Sequence, residues 1–173
     1  PQAFEEANRR LYEHYVRQAP DLPANLTEMQ PLFDAVTHGC AAGLHEECWH
    51  EVYGRRINRE KNYFLTSALG AYSADLSVLS RFFEHPWDAE SSRLNDHENR
   101  RLFDMVGKRL EAMGRAHEAV PLLESSYDIF QAQQRYGNAS KTAGHLCETY
   151  LTIGPIADAR RWAEAAVFDA VND

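Results

Sequence analysis

The most constraining feature of this chain is that apolar residues recur at helical spacing along almost its whole length. Ala, Leu, Glu and Arg are frequent, and runs of alternating β-branched residues, which would favour strands, are missing. The spacing predicts helices over residues 2–18, 27–43, 44–57, 61–69, 71–84, 97–113, 115–136, 139–153 and 155–171. Because the intervening turns are short, we predict an all-α fold built from antiparallel helical hairpins.

Residues 85–96 form the clearest interruption, since Pro86 breaks the helical spacing there. Helical patterns resume on both sides without a change in composition, so we predict a loop within a single domain of residues 1–173. Residues 1–84 are expected to form divergent hairpins. Residues 97–173 are expected to form two clearer repeats.

Two details of the N-terminal part are also predicted. In the first helix, Phe4, Leu11 and Tyr15 lie on one helical face and are expected to point inward. The second helix is expected to begin at Thr27, because a hydroxyl followed three residues later by Gln30 has the form of a capping box.

A glycine and a small residue recur with a fixed period. Gly114 precedes Ala119 by five residues, and the same pattern returns 40 residues later at Gly154 and Ala159, with a fainter copy at Gly43. Helices joined by a short turn cross close to that turn, so a small side chain is needed there, and Gly can adopt the left-handed conformation that ends a helix. The period therefore predicts repeated helical hairpins.

The residues around these turns resemble the tetratricopeptide repeat (TPR) motif of large, small and aliphatic positions. In the first repeat the matching positions are Phe103, Val106, Gly107, Leu110, Gly114, Ala119 and Leu123. In the second they are Ala143, Leu146, Cys147, Tyr150, Gly154, Ala159, Ala163 and Ala166. The resemblance implies hairpins stacked as a right-handed superhelix, with longer helices than usual because the common TPR period is about 34 residues.

Three further segments are similar to the helical-repeat region of bacterial signalling ATPases of the STAND class. They are PLFDAVTHGC (31–40), GAYSADL (70–76) and FFEHPWD (82–88). This resemblance implies a sensing or scaffolding part of a longer signalling protein, an expectation to which the absence of Met at position 1 also contributes.

Composition excludes several functional classes. The chain has 18 Lys and Arg against 26 Asp and Glu, a net charge of −8, which disfavours a nucleic-acid partner. No apolar run reaches the ~20 residues that span a bilayer, so no membrane association is expected.

The three cysteines, Cys40, Cys48 and Cys147, are odd in number and lie in apolar patterns. This indicates buried thiols in a reducing compartment, the cytoplasm. A basic cluster is interpreted as a solvated helix end: Arg55, Arg56, Arg59 and Lys61.

The segment HGCAAGLHEECWH (38–50) is the strongest candidate for metal chemistry. His45 and His50 are five residues apart, which in a straight α-helix separates their rings by about 140°. The alternative of a metal-dependent enzyme using His38, His45, Cys48 and His50 stays open. Without a nucleophile elbow or a phosphate-binding glycine loop, however, we expect no catalytic residues and no cofactor.

The expected function is the binding of a protein or peptide segment. In TPR proteins peptides commonly lie along the first helix of each repeat. The resemblance therefore implies one stripe of candidate partner-binding residues: Arg101, Asp104, Lys108, Glu111, Lys141, Glu148 and Leu151. Trp87, in the predicted loop, is a further candidate. A further alternative is self-association through the last hairpin. Trp162, Ala166 and Val167 are expected there on a face that a homodimer or a continuation of the repeats would cover.

Overall fold

The structure is all-helical, which confirms the predicted fold class at that level. The computed structural model describes residues 2–172, with the backbone alone at Lys61. In this part of the chain there is no β-strand, only an isolated bridge between Phe83 and Ser92. The helices are α1 (Gln2–Gln18), α2 (Leu26–Ala41), α3 (His45–Glu47), the π-helix π1 (Cys48–Ile57), α4 (Phe64–Ser67), α5 (Tyr72–Leu79), α6 (Asp96–Ala112), α7 (Ala116–Ala132), α8 (Tyr136–Ile153) and α9 (Ile156–Asn172).

The chain divides into two compact units. The first ends at Phe82 and the second begins at Phe83. This boundary lies two residues before the predicted loop at residue 85. That both units belong to a single domain stays a prediction.

In the first unit, α1 has the predicted bounds but not the predicted buried face. Asn8 and Tyr12 are buried, whereas Phe4 and Leu11 are 64% and 40% exposed. The reason is polar: the Tyr12 hydroxyl donates to Glu47 Oε1 over 2.8 Å, and Asn8 lies within hydrogen-bonding distance of α2. These contacts turn Phe4 and Leu11 outward, whereas Tyr15, the third predicted residue, is half-buried.

The start of α2 also differs from the prediction. Asn25, not Thr27, is the N-cap, and its side chain accepts a hydrogen bond from the Glu28 N–H over 3.0 Å. Glu28 in turn accepts from the Ala24 N–H over 2.8 Å. The reciprocal capping arrangement therefore exists, two residues before the predicted position.

The predicted straight α-helix over 44–57 is replaced, after one short α turn, by the ten-residue π-helix π1. In a π-helix each N–H reaches the carbonyl five residues back. Gly54 fits here because a Cβ at this position would lie 3.0 Å from the Trp49 carbonyl oxygen. Trp49 stacks on Tyr53 at 5.3 Å between ring centroids and meets Phe82 edge to face at 5.3 Å, so π1 forms the aromatic centre of this unit.

Arg56 does not belong to a solvated helix end. It is 5% exposed, and its guanidinium donates to the carbonyls of Val16, Ala19 and Pro20 at 2.9–3.1 Å. Burial lowers the pKa of this guanidinium, which the carboxylate of Asp21 partly counteracts. Arg56 thus caps the C-terminal end of α1 from π1.

The rest of the predicted cluster divides. Arg55 is exposed, whereas the Arg59 guanidinium donates to the Pro23 carbonyl and lies 3.5 Å over the ring of Phe64. The side chain of Lys61 lies outside the described residues.

The predicted helices over 61–69 and 71–84 are shorter than expected. Helical structure in these regions is limited to α4, α5 and the 3₁₀ turns Glu60–Asn62 and Ser80–Phe82. Arg59, Glu60 and Tyr63 all have positive φ, which interrupts any continuous helix. No Gly or Pro lies at these three positions, so the sequence carries no signal for the interruption.

The second unit is regular. Helices α6 and α7 begin at residues 96 and 116, and α8 and α9 begin 40 residues later, at 136 and 156. Each of these helices packs against the next along the chain. Gly114 and Gly154 lie at helix ends with φ of +73° and +127°, as the steric argument requires.

One turn of this unit was missed. The helix predicted over 115–136 ends at Ala132, and the next begins at Tyr136 instead of Ala139. Gln134 adopts φ +54° in this turn, and the Arg135 N–H bonds back to the Phe130 carbonyl over 2.9 Å, the Schellman pattern that Gly114 also shows. A Gln in a position that favours Gly gives no turn signal.

Small residues lie where the helices cross. A Cβ on Gly107 of α6 would lie 2.6 Å from the Leu123 side chain of α7, and Ala119 is fully buried. Ser126 of α7 donates to the Arg100 carbonyl of α6 over 3.1 Å. The positions 40 residues further on are also joined, because Ser140 of α8 donates to the Ala166 carbonyl of α9 over 2.8 Å. The two hairpins thus repeat a close contact as well as a sequence pattern.

Candidate binding surfaces

The predicted stripe on α6 faces the neighbouring helix α8. Helix α6 begins at Asp96, where the Asn95 side chain caps it by accepting from the Glu98 N–H over 3.1 Å. Three of the predicted residues follow along the half-buried side of the helix. Lys108 Nζ lies 2.9 Å from the carboxylate of Asp104, so this pair is already satisfied within α6.

Two threonines of α8 reach back to the same stripe. Thr149 Oγ1 lies 3.1 Å from Glu111 Oε1, and Thr142 Oγ1 lies 3.4 Å from Asp104 Oδ1. Each hydroxyl is also within hydrogen-bonding distance of the carbonyl four residues earlier, at 2.8 and 3.2 Å. Both threonines are buried. His145, one turn from each along α8, brings its Nδ1 to 3.3 Å from Glu111 Oε2. The sequence did not single out these three residues, although each lies on α8 opposite a predicted residue of α6.

The remaining stripe residues are exposed. Arg101 of α6 and Lys141, Glu148 and Leu151 of α8 all present their side chains to solvent, Leu151 being 61% exposed. Of these, Glu148 comes close to Glu111 and His145, the ligand atoms of the three residues lying within 4.8 Å of one another. The structure therefore gathers part of the predicted stripe into a polar seam between α6 and α8.

Trp87 is half-buried and not a free loop anchor. It has φ +68°, and its ring meets Phe83 edge to face at 5.8 Å between centroids. The Arg115 guanidinium lies 5.9 Å from the ring of Trp87. The indole therefore makes contacts within the second unit.

The outward side of α9 carries several exposed apolar residues together with the exposed Arg160–Glu164 ion pair, and we name the apolar residues of this side the terminal face. Its members share exposures of 61–81% and come from α8 and α9: Leu151, Ile156, Val167, Phe168 and Val171. Trp162, predicted to lie on this face, is instead buried against Tyr127 of α7, at 4.9 Å between centroids. Burial and hydrogen bonding to Asp169 raise the pKa of Tyr127.

The histidines of segment 38–50 occupy separate surroundings. His38 Nδ1 lies 2.8 Å from Asn8 Oδ1, and its ring stacks on Tyr15 at 5.6 Å between centroids. His50 Nε2 lies 3.7 Å from Glu46 on the exposed side of the helix. Among the side chains described in residues 2–172, the predicted set of His38, His45, Cys48 and His50 does not form a cluster of three ligand atoms within 4.8 Å.

Cys40 and Cys48 are buried side by side in the first unit. A Cβ on Gly39 would overlap the Cys48 sulfur, which shows how closely α2 and π1 approach here. Hydrogen bonding to Cys48 and burial raise the pKa of the Cys40 thiol far above its usual range. Cys147 is half-buried on α8. All three cysteines are free thiols.

Comparison with protein-family models, with curated proteins and with solved structures finds no match to this chain. Along the described chain, no helix combines the length and apolar character that crossing a membrane requires. The class of protein that the fold defines is therefore an all-helical one, with a regular pair of hairpins in its second unit.

Proposed function

We propose that the chain is a non-catalytic protein-interaction module. In this proposal its hairpins stack as a TPR-like right-handed superhelix, and the terminal face binds one amphipathic helix of another protein. By its resemblance to STAND-class repeat regions, the module serves as a sensing or scaffolding part of a larger cytoplasmic signalling protein. Binding is reversible and involves no covalent change.

The observation that carries this proposal is the correspondence between the two hairpins. Three residues of the α6–α7 hairpin contact the hairpin that follows: Glu111 bonds Thr149, Tyr127 packs on a buried tryptophan, and Gln131 Nε2 donates to Asp169 over 2.6 Å. The residues 40 positions after Glu111, Tyr127 and Gln131 are Leu151, Val167 and Val171. All three are exposed and belong to the terminal face. The positions that one hairpin uses to hold its neighbour are thus uncovered and apolar on the last hairpin.

The chemistry of the terminal face favours a helix with one apolar side. Burying a Val, Leu or Phe side chain stabilises a complex by about 1.5–3 kcal/mol, before the costs of association are subtracted. Val167 and Val171 are four residues apart on α9, the spacing at which a partner helix contributes matching residues. The partner helix would lie along α9.

The α6–α8 stripe is the second candidate surface, and it is the less favoured one. Asp104 is paired with Lys108, and Glu111 is held by Thr149, so a ligand would have to replace contacts that already exist. The stripe is tested separately by the charge reversals Arg101→Glu and Lys108→Glu, which we expect to leave helix binding at the terminal face unchanged.

The proposal is tested by photo-crosslinking with p-benzoylphenylalanine in place of Phe168. A matched control places the same group at Phe4 on α1, because the two phenylalanines are 66% and 64% exposed. Cross-linked peptides are sequenced by mass spectrometry, synthesised, and titrated against the purified chain by fluorescence anisotropy. We expect a peptide with apolar residues at helical spacing, obtained from position 168 and not from position 4.

Binding of that peptide is then measured in two variants. The double substitution Val167→Glu with Val171→Glu should weaken binding by about 100-fold, because two apolar contacts are lost. Leu22→Glu introduces the same charge at an exposed apolar residue of the first unit and should alter binding less than about twofold. Cross-links only to a second copy of the chain would replace the proposal with self-association, and an equal yield from both positions would contradict it.

A further inference from the structure

Three side chains with metal-binding atoms converge on the seam between α6 and α8. His145 and Glu148 are three residues apart, so both lie on one side of α8, and Glu111 reaches them from the last turns of α6. One ligand atom from each lies within 4.8 Å of the other two. We propose that Glu111, His145 and Glu148 form a site for a divalent transition-metal cation of the zinc type, a role independent of the proposed protein binding.

The His145 nitrogen provides the first argument. Its Nδ1 is shielded from solvent and lies 3.3 Å from Glu111 Oε2, yet it makes no hydrogen bond with acceptable geometry. Buried polar atoms are nearly always satisfied, and this nitrogen has the Glu111 carboxylate at ion-pair distance but no hydrogen bond to it. A cation between the imidazole and the two carboxylates would satisfy the nitrogen lone pair and both negative charges together.

The orientation of Glu111 provides the second argument. The hydroxyl of the fully buried Thr149 shares its proton between the His145 carbonyl at 2.8 Å and one oxygen of Glu111 at 3.1 Å, while the other oxygen of Glu111 faces His145. A hydroxyl or amide that fixes a ligating carboxylate from outside is a regular feature of metal sites. Thr149 would continue to hold Glu111 in this way with a cation bound.

Distances and ligand types favour zinc over calcium or magnesium. Zinc bonds to imidazole nitrogen and carboxylate oxygen at about 2.0–2.2 Å, which places tetrahedral ligands roughly 3.3 Å apart. The His145–Glu111 separation of 3.3 Å already matches this value, and exposed Glu148 needs only a side-chain rotation to approach. Calcium and magnesium prefer sets made of oxygen alone. Three protein ligands leave a fourth position for water.

The test is titration of the purified, chelator-treated chain with ZnCl₂ by isothermal calorimetry, repeated with CoCl₂ while visible absorption is recorded. We expect one equivalent of zinc and a cobalt spectrum of low coordination number. Glu148→Gln, which changes an exposed side chain and so leaves the fold intact, should weaken zinc binding by at least about tenfold. His145→Gln should abolish the cobalt absorption.

Two control variants separate this site from adventitious binding. His117→Gln removes an exposed histidine of α7. Cys147→Ser removes a half-buried thiol that lies between His145 and Glu148 in the sequence of α8. Both should bind zinc as the unmodified chain does. Absence of saturable binding up to about 1 mM zinc, unchanged affinity in Glu148→Gln, or loss of binding in Cys147→Ser would each overturn the proposal.

Discussion

Replacing Arg56 by Met should release the end of α1 from the first unit. The Arg56 guanidinium donates three hydrogen bonds at 2.9–3.1 Å to the carbonyls of Val16, Ala19 and Pro20. A hydrogen bond from a charged donor contributes about 1.5–3 kcal/mol, but the freed carbonyls regain water and the buried charge is removed. Counting about 1 kcal/mol for each bond, we expect the local free energy of opening to fall by about 3 kcal/mol.

Hydrogen exchange measures this effect where it arises. The amide of Ala19 bonds to the Tyr15 carbonyl over 3.1 Å in the last turn of α1. A loss of about 3 kcal/mol corresponds to a protection factor lower by about 100-fold for amides of this turn. Mass spectrometry of peptides covering residues 13–22 gives the change directly, without assuming that the two units unfold together.

Arg55→Met is the matched control. Its side chain is 61% exposed, and its ion pairs with Asp21 and Glu51 are 3.6 and 3.8 Å long. Such exposed pairs contribute about 0–1 kcal/mol, so protection should change by less than about fivefold. If the two substitutions changed the exchange of α1 equally, the capping role of Arg56 would be wrong.

Three further predictions concern single positions and share simple assays. In thermal unfolding, Gly107→Ala should destabilise the second unit by about 1–3 kcal/mol, because the added methyl group overlaps α7. Gly144→Ala, which has open space around it, should stabilise the unit by about 0.5–1 kcal/mol. Stability changes of the same sign in the two variants would contradict this prediction. Gln134→Gly should raise the free energy of unfolding in urea by about 0.5–1 kcal/mol, since a left-handed Gln is strained; a loss of stability would refute the strain. At pH 8, native alkylation with iodoacetamide should label Cys147 well before Cys40, whose thiol pKa is raised by hydrogen bonding and burial; equal labelling rates would count against it.

The second unit was largely predictable because its turns carry chemical signals. Gly114 and Gly154 end helices as expected, and the helix starts recur at the period read from the sequence. The turn at Gln134 was missed because its left-handed residue is not glycine, and helix-forming residues surround it. The hydrogen bonds of its backbone, not its side chain, define that turn.

The first unit was harder to predict, for physical reasons. A π-helix differs from an α-helix in which carbonyl each N–H reaches, and over ten residues the apolar spacing of π1 does not distinguish the two. The rotation of α1 is set by hydrogen bonds of Asn8 and Tyr12 with residues 30 and 35 positions away. Hydrophobic periodicity contains no information on such partners, so Phe4 and Leu11 were predicted to point inward although they are exposed.

The candidate sites were likewise predictable in their local spacing but not in their long-range contacts. The stripe on α6 follows from helical spacing alone, and Asp104, Lys108 and Glu111 do lie on one side of that helix. Which α8 residues meet them depends on the offset between successive hairpins. Thr142 and Thr149 each bond a partner 38 residues earlier, two fewer than the sequence period. Only the packed structure reveals that offset.

Equivalent positions of the two hairpins carry different residues, so the seam is polar whereas the matching positions of the terminal face are apolar. A residue of one hairpin meets a residue of the next that lies at a different position in the repeat, so the two contacting surfaces can have different chemistry. Glu111 is held by a threonine, whereas the residue one period later is Leu151, which is exposed. A partner of the terminal face therefore need not copy the polar side of α8. In the proposed complex, an apolar helix surface is the complement that matches the exposed Leu151 and Val167.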